Sequence, residues 1–95
     1  MKINFRKFPV YTSIRKDAVM QQDISFPLSN SIYTNIPGIM AHAVAMKIYA
    51  SDGEVELTQE EAAALTRWVE LFSGVIADSV RDYIRKLNEQ ARSHE

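Results

Sequence analysis

Hydrophobic and polar positions alternate at the start of the chain, in KINFRKF, where Ile3 and Phe5 oppose Lys2, Asn4 and Arg6 ahead of Pro9. A period of two predicts a half-buried strand, and Pro9, which has no amide hydrogen, keeps its end from being fully central in a sheet. Residues 18–24 form a second extended stretch, with Ala18, Met20, Gln22 and Ile24 on one side and Val19, Gln21 and Asp23 on the other. The segment between them is too long for a two-residue hairpin, and antiparallel pairing of the two strands is the simplest topology.

The period then changes. Ser25 can cap, Pro27 sits near a first helical position, and Leu28 and Ile32 are four apart, which predicts a short helix ending before Pro37. After Pro37, GIMAHAVAMKIYAS is apolar nearly all round, with Lys47 its only charge, and predicts a buried central helix. Gly38, Ala41 and Ala45 make a small-residue stripe on it that would let another element come close. Asp52 and Gly53 mark a turn, and GEVEL alternates Val55 and Leu57 against Glu54 and Glu56, a short strand with its acids in water.

From Thr58 onward the pattern is the most regular in the chain: Leu65, Trp68, Val69, Phe72, Ile76, Val80, Tyr83, Ile84 and Leu87 recur at helical spacing over about half the circumference. Unbroken to residue 92 this helix would run about 50 Å at ~1.5 Å per residue, longer than a compact domain of this size is wide, about 30–35 Å. It must protrude, or bend or break near Ser73 and Gly74, where glycine disfavours the helix by up to about 1 kcal/mol relative to Ala. Two helices, or one kinked helix, are expected. The fold class is therefore α+β, one domain over residues 1–95, with two or three short, mostly antiparallel strands packed on the central helix and the long C-terminal helical segment.

Composition adds limits. Ninety-five residues with 46% hydrophobic and 24% charged residues and a net charge of -1 describe one ordinary globular domain. A chain this short buries only about 60–65% of its unfolded surface, so association with a second subunit would help it. There is no cysteine, which removes disulfides, thiolate nucleophiles and cysteine metal sites. The basic start is not followed by an apolar run, so a cytoplasmic protein is expected. Between Ile24 and Met46 no Asp, Glu, Lys or Arg occurs; two prolines, two asparagines and several hydroxyls within it argue against a membrane span, and the stretch reads as the buried middle of the fold.

Candidate chemistry is sparse. Asp52, Glu54, Glu56, Glu60 and Glu61 crowd into ten residues, yet each has a structural use: a turn, the wet face of a strand, and the first turn of a helix. Thr58 and Glu61 fit a capping box, and the helix dipole favours Glu60 and Glu61 there. A calcium loop aligned on Gly53 would put Ile48, Ala50 and Gln59 at its first, third and twelfth positions, none of them a carboxylate ligand. A Ser-His-Asp hydrolase needs a histidine base, and the chain offers only His42 and the penultimate His94. His42, Ala45, Met46 and Tyr49 share one helix side, so a small-ligand site around His42 and Tyr49 is one reading; a buried core histidine is the commoner one. Met40 lies about 160° from His42, which breaks up a soft-metal set, and both methionines read as core.

Five basic residues and no acid occupy residues 1–16. Lys2, Arg6, Lys7, Arg15 and Lys16, with Tyr11 to stack on a base, are the nucleic-acid candidates; a solvated strand edge is the more usual meaning of such residues. No Gly-rich phosphate loop and no internal repeat occurs. The leading expectation is a non-enzymatic interaction or assembly module without a cofactor, off the membrane, partnered by itself as a homodimer or by another protein. Phe72, Ile76, Val80, Tyr83, Ile84 and Leu87 are the expected self-association face, because a small chain has few internal surfaces to cover them.

Overall fold

The computed structural model describes residues 1–72 and 74–93. In chain order these form β1 (Lys2–Asn4), β2 (Phe8–Tyr11), β3 (Val19–Gln22), α1 (Ser25–Asn35), α2 (Ile39–Ala50), β4 (Glu54–Glu56), α3 (Gln59–Val69) and α4 (Val75–Ser93). The chain is an α+β domain with two antiparallel two-stranded sheets, β1 with β4 and β2 with β3.

The first alternating run proves to be two strands in different sheets. Asn4 is the reason: its side-chain carbonyl accepts from the amides of Arg6 at 3.0 Å and Lys7 at 3.1 Å, a local turn that competes with strand pairing. Before the turn, Ile3 lies opposite Val55 in the β1–β4 sheet. Beyond it, Val10 lies opposite Met20 in the β2–β3 sheet. The buried Phe5 sits at the turn, its carbonyl accepting from Ile24 at 2.8 Å. Pro9 falls within β2 at a tolerable place, since the far edge of that strand faces α4, where the Ser79 hydroxyl takes the Tyr11 amide at 3.1 Å. Strand β3 has no buried face: all four residues are exposed, and the sided pattern expected for residues 18–24 is met only at Ile24.

Helix α1 begins where Asp23 accepts from the Ser25 amide at 3.0 Å and the Ser25 hydroxyl at 2.6 Å. Asp23 thus does the capping expected of Ser25, and its carboxyl is held below the usual range by those two bonds, with Arg6 adding to them. The chain reverses through Ile36, Pro37 and Gly38. Gly38 has φ of 113°, a conformation that a Cβ disfavours, and its carbonyl accepts the His42 amide at 3.1 Å as α2 starts. Ala41 and Ala45 are buried with Leu28, Ser29 and Ile32, and α1 and α2 pack together as an antiparallel hairpin. The small-residue stripe brings the two helices close, as its spacing implies.

The stretch from Glu54 to Leu65 follows its pattern closely. Val55 and Leu57 are buried while Glu54 and Glu56 are exposed. The capping box is complete, with Thr58 Oγ1 accepting from Glu61 at 3.0 Å and the Glu61 carboxylate accepting from the Thr58 amide at 2.9 Å. Lys47 adds a bond to the same carboxylate at 3.0 Å. Thr58→Ala is expected to destabilise the fold by about 0.5–2 kcal/mol, measurable by urea denaturation; Thr58→Ser should recover most of it.

The long C-terminal pattern divides into two helices, α3 and α4, with residues 70–74 between them. Gly74 has φ of 108° and its carbonyl accepts the Asp78 amide at 3.2 Å, so the glycine that weakens a continuous helix starts the second one. Ser73, the other half of the expected break, lies outside the described residues. Folding α4 back on α3 keeps the longest dimension to 34 Å.

Candidate functional site

The buried core draws on both sheets and all four helices, and it takes residues that the sequence assigns elsewhere. Val80 and Ile84 are 0% and 1% exposed inside a single chain. Phe72, Ile76, Tyr83 and Leu87 are half-buried and packed against the same core, where the Tyr83 ring meets Phe8 at 4.8 Å between centroids and Phe8 stacks on Phe5 at 5.7 Å. The strands supply the cover that the sequence pattern left unassigned.

Large apolar side chains are bare on β3 and the loop before it (Ile14, Val19, Met20) and where α3 gives way to α4 (Leu71, Val75), and the most numerous set lies in α1 and α2. The stretch without charges, expected to be the buried middle, exposes Phe26 by 60%, Tyr33 by 59%, Ile39 by 90% and Met46 by 46%, and Tyr49, just beyond Lys47, is 53% exposed. Helix α2 is accordingly buried on one side only, through Ala41, Val44, Ala45 and Ile48, and its other bulky residues face outward. Met40 and Met46, read as core from sequence, are both partly bare.

Spacing explains the arrangement. Phe26, Asn30 and Tyr33 fall at i, i+4 and i+7 of α1; His42, Met46 and Tyr49 fall at i, i+4 and i+7 of α2. In the antiparallel hairpin the start of one stripe meets the end of the other. Phe26 and Tyr49 rings are 6.3 Å apart at one end, and Tyr33 and His42 rings are 5.7 Å apart at the other. Between them is a cleft of about 170 Å³ lined by Phe26, Asn30, Tyr33, Met46 and Tyr49 over a floor of Ser29 and Ala45.

His42 is exposed on this outer face and does not line the cleft, so it is neither the buried core histidine expected from sequence nor beside Tyr49. The pair proposed for a small ligand stands at opposite ends of the groove. His94 lies outside the described residues. Small-molecule sites usually enclose about 300–1,000 Å³ with a few convergent polar groups; this cleft is smaller and mostly apolar in its lining.

The basic candidates are dispersed. Arg6 binds inward: Nε donates to the Ser51 carbonyl, Nη2 to the Tyr49 carbonyl at 3.5 Å, and Nη1 lies 3.3 Å from Asp23. It closes the C-terminal end of α2 and ties that end to the cap of α1. Lys16 lies over the Tyr11 ring, 5.6 Å from its centroid, and within 3.9 Å of Asp78 and Asp82. The Tyr11 hydroxyl donates to Asp82 at 2.8 Å, and that bond, with some burial, holds the phenol above its usual value. Lys2, Lys7 and Arg15 are exposed, on β1, the turn after it and the loop before β3. Asp23 stands beside Arg6, Asp78 and Asp82 beside Lys16, and Glu56 opposite Lys2 in the β1–β4 sheet.

Of the five clustered acids, Glu61 is held below the usual carboxylate range first by the Thr58 amide and then by Lys47. Among the described residues no three of His, Asp and Glu gather as metal ligands would, and no helix is long and apolar enough to cross a membrane.

Sequence reasoning missed Phe26, Tyr33 and Ile39. Their signal was present: a segment almost free of charge with two i, i+4, i+7 stripes, Phe26, Asn30, Tyr33 and His42, Met46, Tyr49, that mix large side chains with uncharged polar ones. Lack of charge was read as burial, whereas it also marks a face that gains by being covered. Comparison with known proteins adds no relative to this picture: no family model matches the chain, and no curated protein or solved structure is significantly similar to it.

Proposed function

We propose that this chain is a non-enzymatic protein-interaction module of the cytoplasm that docks through the outer face of the α1–α2 hairpin. The observation that carries the reading is the bare, uncharged set of Phe26, Tyr33, Met46 and Tyr49 around one cleft, with Ile39 exposed further along α2. Aromatic residues and methionine are the types enriched in protein interfaces, where charged groups are depleted. A shallow apolar groove between two helices takes side chains from a docking helix or strand.

The proposal moves the contact surface away from α4, since Val80 and Ile84 are already covered by the chain's own strands. It also leaves Arg6 and Lys16 with structural work, because they are engaged by carbonyls and carboxylates.

Photo-cross-linking in the native host tests it. Benzoylphenylalanine at position 46 is expected to give discrete protein adducts, whereas the same group at exposed Lys86 on α4 gives none. Equal labelling at both positions, or none at 46, would remove the reading.

A further inference from the structure

The bare face carries both a projection and a recess. Ile39, 90% exposed, stands at the first turn of α2, and the cleft of about 170 Å³ opens beside Met46, seven residues further along the same helix face. An apolar cavity of ~150 Å³ is large enough to hold a benzene ring, so this recess has room for the four carbons of an isoleucine side chain. We infer that the occupant of the face is a second copy of this chain, related by a two-fold axis beside Ala43, so that Ile39 of each copy enters the cleft of the other. The inference rests on the proposed function and names its partner.

Three properties favour the second copy. The first is self-complementarity. A two-fold interface needs projection and recess on one patch, each meeting the other. Here they lie about 10 Å apart at ~1.5 Å per residue, with positions 42 and 43 midway. Ala43 is exposed and small, which allows the two α2 helices to approach at the axis. The rings of Phe26 and Tyr33 flank the recess from α1.

The second is charge. No Asp, Glu, Lys or Arg occurs from Ile24 to Met46, and Lys47 turns away to the Glu56 carbonyl at 2.9 Å and Glu61 at 3.0 Å. Bringing this face against itself therefore opposes no like charges. A charged partner surface would lose its hydration and find, among the described residues, only Arg6 and Asp23, already paired with each other, at the Phe26–Tyr49 end.

The third is area. Taking ~150–250 Å² for a bare aromatic side chain and somewhat less for Ile and Met, the exposures of Phe26, Tyr33, Ile39, Met46 and Tyr49 leave roughly 500–600 Å² of apolar surface. That is at the upper end of the largest patch a typical monomer exposes, about 300–600 Å². Doubled across an axis it reaches roughly 1,100 Å², and the rim of Asn30 and His42 brings it into the range of stable interfaces, which begins near 1,200 Å².

Sedimentation equilibrium, from about 1 to about 100 µM chain, a range that spans micromolar affinity, tests the inference. The parent is expected to pass from the chain mass of 10.8 kDa to twice that value. Ile39→Glu is expected to weaken association at least tenfold, and its thermal unfolding in dilute solution should match the parent's, because position 39 is bare in the single chain. The absence of cysteine allows a second readout: oxidised Ala43→Cys should give a covalent dimer and Glu89→Cys, exposed on α4, should not.

A parent that stays at single-chain mass, or a dimer that persists in Ile39→Glu, would overturn the inference. So would equal cross-linking by the two cysteine variants. The photo-adduct at position 46 separates the two levels. An adduct of twice the chain mass supports both; an adduct with another protein leaves the docking module standing and removes the second copy; no adduct removes both.

Discussion

Ile84→Asp is expected to abolish the cooperative fold. Ile84 is 1% exposed in a single chain and belongs to the core that α4 forms with the strands. The substitution forfeits about 1.5–3 kcal/mol of side-chain burial. It also places a carboxyl where no partner awaits it, which costs several kcal/mol more whether it stays charged or takes up a proton. A total of about 5 kcal/mol or more rivals the whole stability of a chain this size, roughly 5–14 kcal/mol. Circular dichroism should show loss of the sigmoidal thermal transition, or a midpoint lowered by roughly 20–40 °C. The opposite outcome would be equally informative. A folded Ile84→Asp monomer with parental stability would make this helix face an interface, as its pattern alone suggests, and would contradict the packing described above.

Asp82 should control much of the acid limb of stability. It sits on α4 facing β2, its side chain 18% exposed, and it accepts from the Tyr11 hydroxyl at 2.8 Å, Arg81 Nε at 3.3 Å and Arg85 Nη2 at 3.3 Å. Lys16 lies 3.9 Å away. Burial works to raise its carboxyl, and the Tyr11 bond, Arg81 and Lys16 outweigh it, leaving the group below its ordinary value. A depressed folded-state value contributes stability above the unfolded value, near ~4, and that contribution is lost as pH falls through the folded one.

Tyr11 carries the opposite sign. Its bond to Asp82, then burial, favours the neutral phenol, so its contribution is present below ~10 and is lost as pH rises through the raised folded value. Urea titrations across both limbs separate these effects. Asp82→Asn keeps an acceptor for Tyr11 and should flatten the parent's decline below pH ~4. Glu61 and Asp23 are depressed as well, so a smaller acid slope will remain. Asp82→Ala removes the acceptor, should cost about 1–3 kcal/mol near neutral pH, and should also flatten the alkaline decline. Parallel curves for parent and Asp82→Asn would show that this cluster is only an exposed set of ions.

The elements that local chemistry specifies were legible without a structure. The capping box at Thr58, the inward Val55 and Leu57 against outward Glu54 and Glu56, the turn before Gly38 and the interruption at Gly74 each depend on residues within a few positions of one another. Where the reading failed, the deciding partner was distant or the local competitor was overlooked. Asn4 divided the first strand with its own side chain. Arg6 and Lys16 looked free for phosphates until the fold brought Asp23, Asp78 and Asp82 beside them.

The sequence by itself determined the class of object: its single α+β domain, the placement of most helices and strands, the small-residue contact of α2 and the cap of α3. Only the tertiary structure decided which apolar stripe is core and which is surface. Two helical segments carry such stripes, and periodicity says merely that each wants cover. The strands cover α4, because Phe5, Phe8 and Val10 pack on the side where Val80 and Ile84 project. They do not reach the outer side of α1 and α2, which is why much of the region without charges lies bare.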